Sequence, residues 1–476
     1  MKYFNIFLNK SLSLFFKLII IVSSIVTIAG GVLGLYYSPL LMVIVGVLFI
    51  TLTVLIVKRK INIKHIISKL NIKHILILSL VIRILYIVLI KTKPVSDFAL
   101  MYESGADVAN GNFASFHGFE YFARFAHDTI TVIYFSIFYH ITTNPLFLIK
   151  LINAILGTLS VYLLYKLVYQ INYDVKSAKK CALIMGMFPP FIMYTSQTIS
   201  ENMGIPLYIG GVLFLFKAIK SNNKMKYIYY LTCGILISFG NMFRMVGYVF
   251  ILAIILYLVL YHNYKEAIKG VSLVVISFAL VLVSVSNILI LSKITEVQLW
   301  NSKEPSITSI LKGTNVKSFG MFNSEDAALP ESVQFNADKI KKQAKETIKD
   351  RLTNTNPLIL TGFYIVKAGV QWGCGDFGAI DMTGNDGINL IAGNKYVWMF
   401  YIGICYTLLL LRINNKLDSK NDEELVSMKF FYILLGGFII LYLITEMQPR
   451  YAFIVSWILI ILGRDEKVSL RKKITE

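Results

Sequence analysis

Long apolar runs, separated by short polar turns that carry lysine, make up most of the chain. A helix needs about 20 apolar residues to cross a bilayer. Runs near that length occur at 13–35, 38–57, 74–91, 146–169, 180–195, 203–219, 227–243, 245–262, 270–291, 395–412, 429–446 and 450–463. They predict an all-α polytopic membrane protein with about twelve transmembrane helices. Lysine and arginine orient the runs, because cytoplasmic loops carry an excess of both. The loop with Lys58, Arg59, Lys60, Lys64, Lys69 and Lys73 is therefore expected in the cytoplasm, so the run 74–91 exits to the outside. Continuing this alternation places both chain ends in the cytoplasm and the polar segments 92–145 and 292–394 outside. The expected divisions are an N-terminal module 1–291, an extracytoplasmic region 292–394, and C-terminal helices with a tail, 395–476.

Two apolar pieces are not expected to cross. Residues 129–141 are too short. If 357–371 spanned, the lysine-bearing loop 412–429 and the tail 464–473 would face outward, so it is expected to be interfacial or re-entrant. A lysine-rich amphipathic surface helix is expected around 337–352. Another short amphipathic helix should follow the third run. Ser96 is placed to cap it, and Asp97 falls in its first turn, where the helix dipole favours a carboxylate. Phe98, Met101, Tyr102, Gly105 and Val108 recur at helical spacing, and Asn110-Gly111 ends the element.

Composition agrees with a membrane protein and excludes a string of soluble domains. Of 476 residues, 56% are hydrophobic and 16% charged, with a mean hydropathy of +0.66. The net charge of +20 resides largely in short loops and does not call for nucleic acid. Cys181, Cys233 and Cys405 lie in apolar runs and Cys374 stands alone, so neither a disulfide framework nor a metal-ligand spacing follows. Lys2, Lys10 and Lys17 lie before the long apolar stretch of the first run, no small-residue cleavage site follows it, and the run is expected to stay attached as a span. No P-loop, dinucleotide fingerprint or His-Glu-x-x-His motif is present in a usable context, which argues against a soluble nucleotide-sugar enzyme.

In this topology Asp97, Glu120, His127, Asp128, Glu201, Arg244, Glu446 and Arg450 all lie at or near outer ends of spans. Any one of them alone fits a snorkelling or solvated residue. Gathered at one membrane face, they point to function. Two carboxylates from different loops suit glycosyl transfer: one deprotonates an acceptor hydroxyl, the other orients the acceptor or binds a metal. Arginines suit a phosphate leaving group, which guanidinium pairs in a bidentate way. His127 fits either a structural hydrogen bond or a site role.

Several segments then resemble the membrane glycosyltransferases of the GT-C fold, in particular bacterial relatives of protein O-mannosyltransferases and of the lipid A aminoarabinose transferase. Ser96-Asp97-Phe98 through Ala109-Asn110-Gly111 resembles the first outer loop with its essential acidic residue. Asn153-Ala154-Ile155-Leu156-Gly157 and the run Tyr162–Tyr165 resemble the next span. Phe188-Pro189-Pro190-Phe191 through Ser200-Glu201-Asn202 resembles the loop holding a second acidic residue. Phe243-Arg244-Met245-Val246-Gly247 is similar to an arginine turn, and Leu443–Tyr451 to a late Glu-x-Gln-x-Arg-Tyr segment. Asp97-Phe98 stands where many relatives have an Asp-Glu pair, Phe125-Ala126-His127-Asp128 replaces a His-Pro-Pro-type turn, and the hairpin before residue 60 lies outside the resemblance.

The resemblance implies a GT-C-like bundle with outer-face interfacial helices, a polyprenyl-phosphate-linked sugar as donor and a cell-envelope acceptor (glycan, lipid or protein). The expected enzyme is a multi-pass hexosyl- or pentosyltransferase of the cell membrane, its site facing outside. Asp97 is the expected catalytic base and Glu201 its helper. His127, Asp128, Arg244, Glu446, Arg450 and Tyr451 are the expected substrate-binding residues, with Arg244 and Arg450 on the lipid phosphate. No cofactor or metal ligand set is evident, and a divalent cation, magnesium or manganese, is compatible with the carboxylates. A transporter or flippase of lipid-linked saccharide is the rival reading. It predicts repeated halves and charges at the bilayer midplane, whereas no repeat is visible and the charges lie at one face.

Overall fold

The computed structural model describes residues 2–58, 69–383, 395–418 and 426–464, and every regular element among them is helical. Parts of the lysine-bearing loops at 58–73 and 412–429, most of the C-terminal tail and the end of the 292–394 region fall outside the described residues. Seven helices are long and apolar enough to cross a membrane: Tyr3–Tyr37, Ile72–Leu89, Pro145–Asn172, Glu201–Lys220, Tyr264–Leu291, Lys395–Leu417 and Val426–Ile444. The other expected spans are shorter, less apolar or broken. The run 180–195 divides at Pro189 into Val175–Met187 and Pro189–Met193, because proline forces the preceding residue, Phe188, out of helical geometry. The run 450–463 divides into a 3-10 helix, Pro449–Val455, and the short helix Trp457–Leu462.

The first helix shows how the bilayer shapes packing. Ile21, Ile25, Ile28 and Val32 form an exposed apolar stripe, while Phe16, Ile19, Ser23 and Thr27 are buried. The hydroxyls of this helix thus face protein among apolar side chains, and the opposite face is aliphatic throughout, as expected where polar groups find partners between helices. Its partner is the helix Lys395–Asp418: Ser23 and Thr407 hydroxyls lie 2.8 Å apart, and Ser13 donates to Asn414 at 3.3 Å. Half of the hairpin that lies outside the family resemblance is therefore built into the bundle.

Two short helices form the first layer around the site. Asp97–Ala109 packs on Thr129–Ile141, with Gly105 closest to Phe135 and Ser136, where a Cβ would lie 3.1 Å from the Phe135 side chain. The Tyr139 hydroxyl donates to the Tyr102 carbonyl at 3.0 Å. Met101 and Phe98 are buried, whereas Glu103 and Asp107 are exposed, so the expected amphipathic face is present. The cap differs from expectation. Ser96 has a positive φ of 52° and its side chain makes no capping bond; its hydroxyl instead lies 3.5 Å from Asp97 Oδ1. A left-handed turn after Val95 carries the chain from the third span into the helix and aims the Ser96 side chain away from the helix amides.

The apolar piece after residue 356 forms the helix Pro357–Gly373, whose C-terminal half packs on the bundle while Leu358, Ile359, Ile365 and Val366 stay exposed. A Cβ at Gly369 or Gly373 would come within 2.6 or 2.7 Å of Val22 in the first helix. The chain then turns at Phe377 and Gly378, both with positive φ. Buried tyrosines grip its carbonyls: Tyr406 donates to Trp372 at 2.7 Å and Tyr194 to Phe377 at 2.6 Å.

Candidate active site

Three charged contacts from separate elements meet at one end of the bundle. Asp97 begins its helix with its side chain 45% exposed, and Arg450 Nη2 lies 3.7 Å from Asp97 Oδ2. Arg450 sits in the Pro449–Val455 turn, because Pro449 ends the extended passage out of Val426–Ile444. Its guanidinium lies over the Phe98 ring at 4.7 Å, so the residue after Asp97 also holds the arginine. Arg244, at the end of Met225–Phe243, places Nε 3.4 Å from Glu201 Oε1. Glu201 opens the helix Glu201–Lys220, where a carboxylate suits the dipole, and its side chain is only 4% exposed. Lys312 lies 3.4 Å from Glu446.

Tyr451 joins the first two pairs. Arg244 lies over its ring at 4.8 Å and Arg450 at 5.3 Å, so the tyrosine spaces two cations on one aromatic side chain. The Tyr208 hydroxyl donates to the Arg244 carbonyl at 2.6 Å and fixes the arginine turn from below. A hydrogen-bond chain continues outward from Arg450. Its Nε donates to Gln448 Oε1 at 2.6 Å, and Gln448 Nε2 donates to Glu446 Oε1 at 2.7 Å.

His127 and Asp128 form a looser pair, Nε2 to Oδ2 3.8 Å, in the short turn before Thr129–Ile141. Tyr121 connects them electrostatically to Asp97. Burial, then the charges of Asp97 and Asp128, then a hydrogen bond with Asp97 raise its phenol well above the ordinary value, so it stays protonated and donates. Glu120, next to it, is exposed. The loop is anchored from the 292–394 region: Arg124 lies 3.9 Å from Glu304, and Ser302 accepts the Ala126 amide at 3.0 Å.

The geometry thus brings Asp97, Arg450, Tyr451, Arg244 and Glu201 into one cluster, with Glu446 one link further out and Asp128 beside Tyr121. Sequence reasoning did not single out Tyr121, Lys312, Gln371 or Gln448. Gln448 stood inside a quoted motif; Gln371 left no signal, since a lone amide in an apolar run is not periodic. It also passed over Arg83, the only charge in the middle of its apolar helix, which is buried and donates to the Ser79 and Gly186 carbonyls at 3.1 Å. Among the described residues, no group of three or more His, Cys, Asp or Glu side chains converges as a metal site would require.

A family model described as dolichyl-phosphate-mannose-protein mannosyltransferase matches residues 130–290. This supports a GT-C-type membrane glycosyltransferase. No curated protein matches the chain. The matched stretch contains Glu201 and Arg244. It stops short of Asp97 on one side and of Glu446 and Arg450 on the other. The contacts Arg450–Asp97 and Arg244–Tyr451 tie the matched and unmatched parts into one site.

Proposed function

We propose that this chain transfers a sugar from a polyprenyl-phosphate carrier to an acceptor of the cell envelope, at the outer face of the cell membrane. The observation that carries this reading is the pairing of an accessible carboxylate, Asp97, with a cation, Arg450, beside a second, half-buried cation, Arg244, that shares Tyr451. Such a site offers a base to one reactant and positive charge to the other.

In the proposed reaction Asp97 takes the proton from an acceptor hydroxyl. The hydroxyl oxygen attacks the anomeric carbon, and the bond from that carbon to the phosphate oxygen breaks. The electron pair leaves with the lipid phosphate, whose charge Arg450 and Arg244 offset. Glu201 is committed to Arg244 at 3.4 Å, so its contribution is to hold that arginine in place. His127 and Asp128 flank the acceptor side through Tyr121. Lysine placement in the loops supports the outward orientation.

Purified protein in liposomes tests this reading. With a labelled polyprenyl-phosphate sugar and a membrane extract as acceptor, label should move to the acceptor and lipid phosphate should be released. Movement of intact lipid-linked sugar across the bilayer without bond cleavage would establish the transporter reading instead.

A further inference from the structure

Arginine side chains are long, and a guanidinium that must meet both a carboxylate and an incoming phosphate needs its plane fixed. Arg450 has the rings of Phe98 and Tyr451 beside it and one hydrogen bond to a side chain that fixes its plane. Gln448 Oε1 accepts from Arg450 Nε at 2.6 Å, while the terminal Nη2 lies 3.7 Å from Asp97 Oδ2. The Gln448 amide has one usable orientation, because its Nε2 donates to Glu446 at 2.7 Å and Glu446 is in turn held by Lys312 at 3.4 Å. The backbone of Gln448 is held as well. Gln371, 1% exposed on the helix Pro357–Gly373, donates to the Gln448 carbonyl at 2.7 Å and accepts its amide at 3.1 Å. Both polar ends of a buried side chain are thus spent on the backbone of one residue.

The neighbouring residues are tied to the same platform. Lys367, four residues before Gln371, donates to the Gly313 carbonyl at 2.5 Å and the Leu443 carbonyl at 2.8 Å. The Met447 amide donates to the Gly320 carbonyl at 2.7 Å. The extended passage 445–448 therefore has no freedom of its own, and the segment Pro357–Gly373 sets where Arg450 begins.

We propose that Gln371 and Gln448 are positioning residues: Gln371 fixes the Gln448 backbone, and Gln448 fixes the Arg450 guanidinium toward Asp97. The proposal rests on the reading of Arg450 as the cation that meets the donor phosphate. It makes the outer helical region 307–373 part of the site, acting through Arg450 without touching substrate.

Gln448→Met and Gln371→Met keep side-chain length and remove the polar ends. Loss of one charge-assisted hydrogen bond corresponds to roughly a tenfold to hundredfold change. Gln448→Met should therefore raise KM for the lipid-linked donor by about that factor while kcat changes less. Gln448→Glu, which still accepts from Arg450 but places a second carboxylate beside Glu446, should recover donor use when combined with Glu446→Gln. The deciding measurement is a cycle with Arg450→Lys, which has no Nε to be held. In that background Gln448→Met should cost less than about twofold, and a further tenfold loss would overturn the positioning role. If Arg450→Ala itself leaves donor use unchanged in folded protein, the reading of Arg450 fails. If Arg450→Ala is damaging while Gln448→Met is silent, only the present inference fails. Yield and unfolding midpoint in detergent identify variants that do not fold, and for those Gln448→Asn, too short to reach Arg450, replaces Gln448→Met with the same expectation.

Discussion

Replacing Glu201 by glutamine removes the deeply buried charge of the Glu201–Arg244 pair and leaves its shape intact. The Glu201 carboxylate is 4% exposed and the Arg244 side chain 20%, with 3.4 Å between Oε1 and Nε. Stranding one partner of a fully buried pair costs about 3–5 kcal/mol. Arg244 keeps some water and the face of Tyr451 at 4.8 Å, a contact worth about 0.5–2 kcal/mol. The expected loss for Glu201→Gln is therefore about 2–3 kcal/mol. Arg244→Met strands the more deeply buried partner and should cost more. The double variant leaves no lone charge and should be more stable than the sum of the singles by at least about 1.5 kcal/mol. SDS-titrated unfolding in mixed micelles, followed by tryptophan fluorescence, gives the four free energies. If the single losses add to the double within about 0.5 kcal/mol, the pair does not interact and Glu201 does not hold Arg244.

Arg450→Ala should weaken use of the lipid-linked donor by about 1.5–3 kcal/mol, read as KM in a transfer assay, and unchanged donor dependence would return Arg450 to helix packing. In the 292–394 region, burial opposes ionisation of Asp326, but Arg351 at 2.8 Å, Asn315 and Asn323 outweigh it and hold the carboxyl below its usual value. Because the folded value lies below the unfolded one, this stabilisation is present above about pH 4 and lost as pH falls through the folded value; the stability advantage of wild type over Asp326→Asn should shrink in that window. Transfer should survive EDTA, and complete loss restored by manganese or magnesium would make Asp97 and Glu201 metal ligands first.

Much of this site was legible because charge is costly at membrane depth. Asp97, Glu201, Arg244 and Arg450 stand out in apolar surroundings, and their order along alternating spans places them at one end. Pairing was not legible, since Arg450 meets Asp97 from 353 residues away in the chain, and no local pattern carries that contact. Ser96 misled for a related reason. Its residue type suits a cap, but the turn out of the third span imposes a positive φ that sequence does not announce. The runs 180–195 and 450–463 read as spans by hydropathy, yet Pro189-Pro190 breaks the first, and the second divides at Ser456 into a 3-10 turn and a short helix. Gln371 and Gln448 were passed over because their importance lies in what they touch, and their residue types are unremarkable on a helix or in a turn.

The central claim is that Asp97 is the base for sugar transfer from a lipid phosphate, and Asp97→Asn tests it most directly. The substitution keeps size and hydrogen bonding and removes basicity. With labelled polyprenyl-phosphate sugar and purified protein, transfer should fall by about 10²–10⁴-fold while donor binding changes little. Glu103→Gln and Asp107→Asn, at exposed positions on the same short helix, should retain wild-type rates. Near wild-type transfer by Asp97→Asn, or equal damage from Glu103→Gln, would contradict the account and make Asp128 the carboxylate to test next.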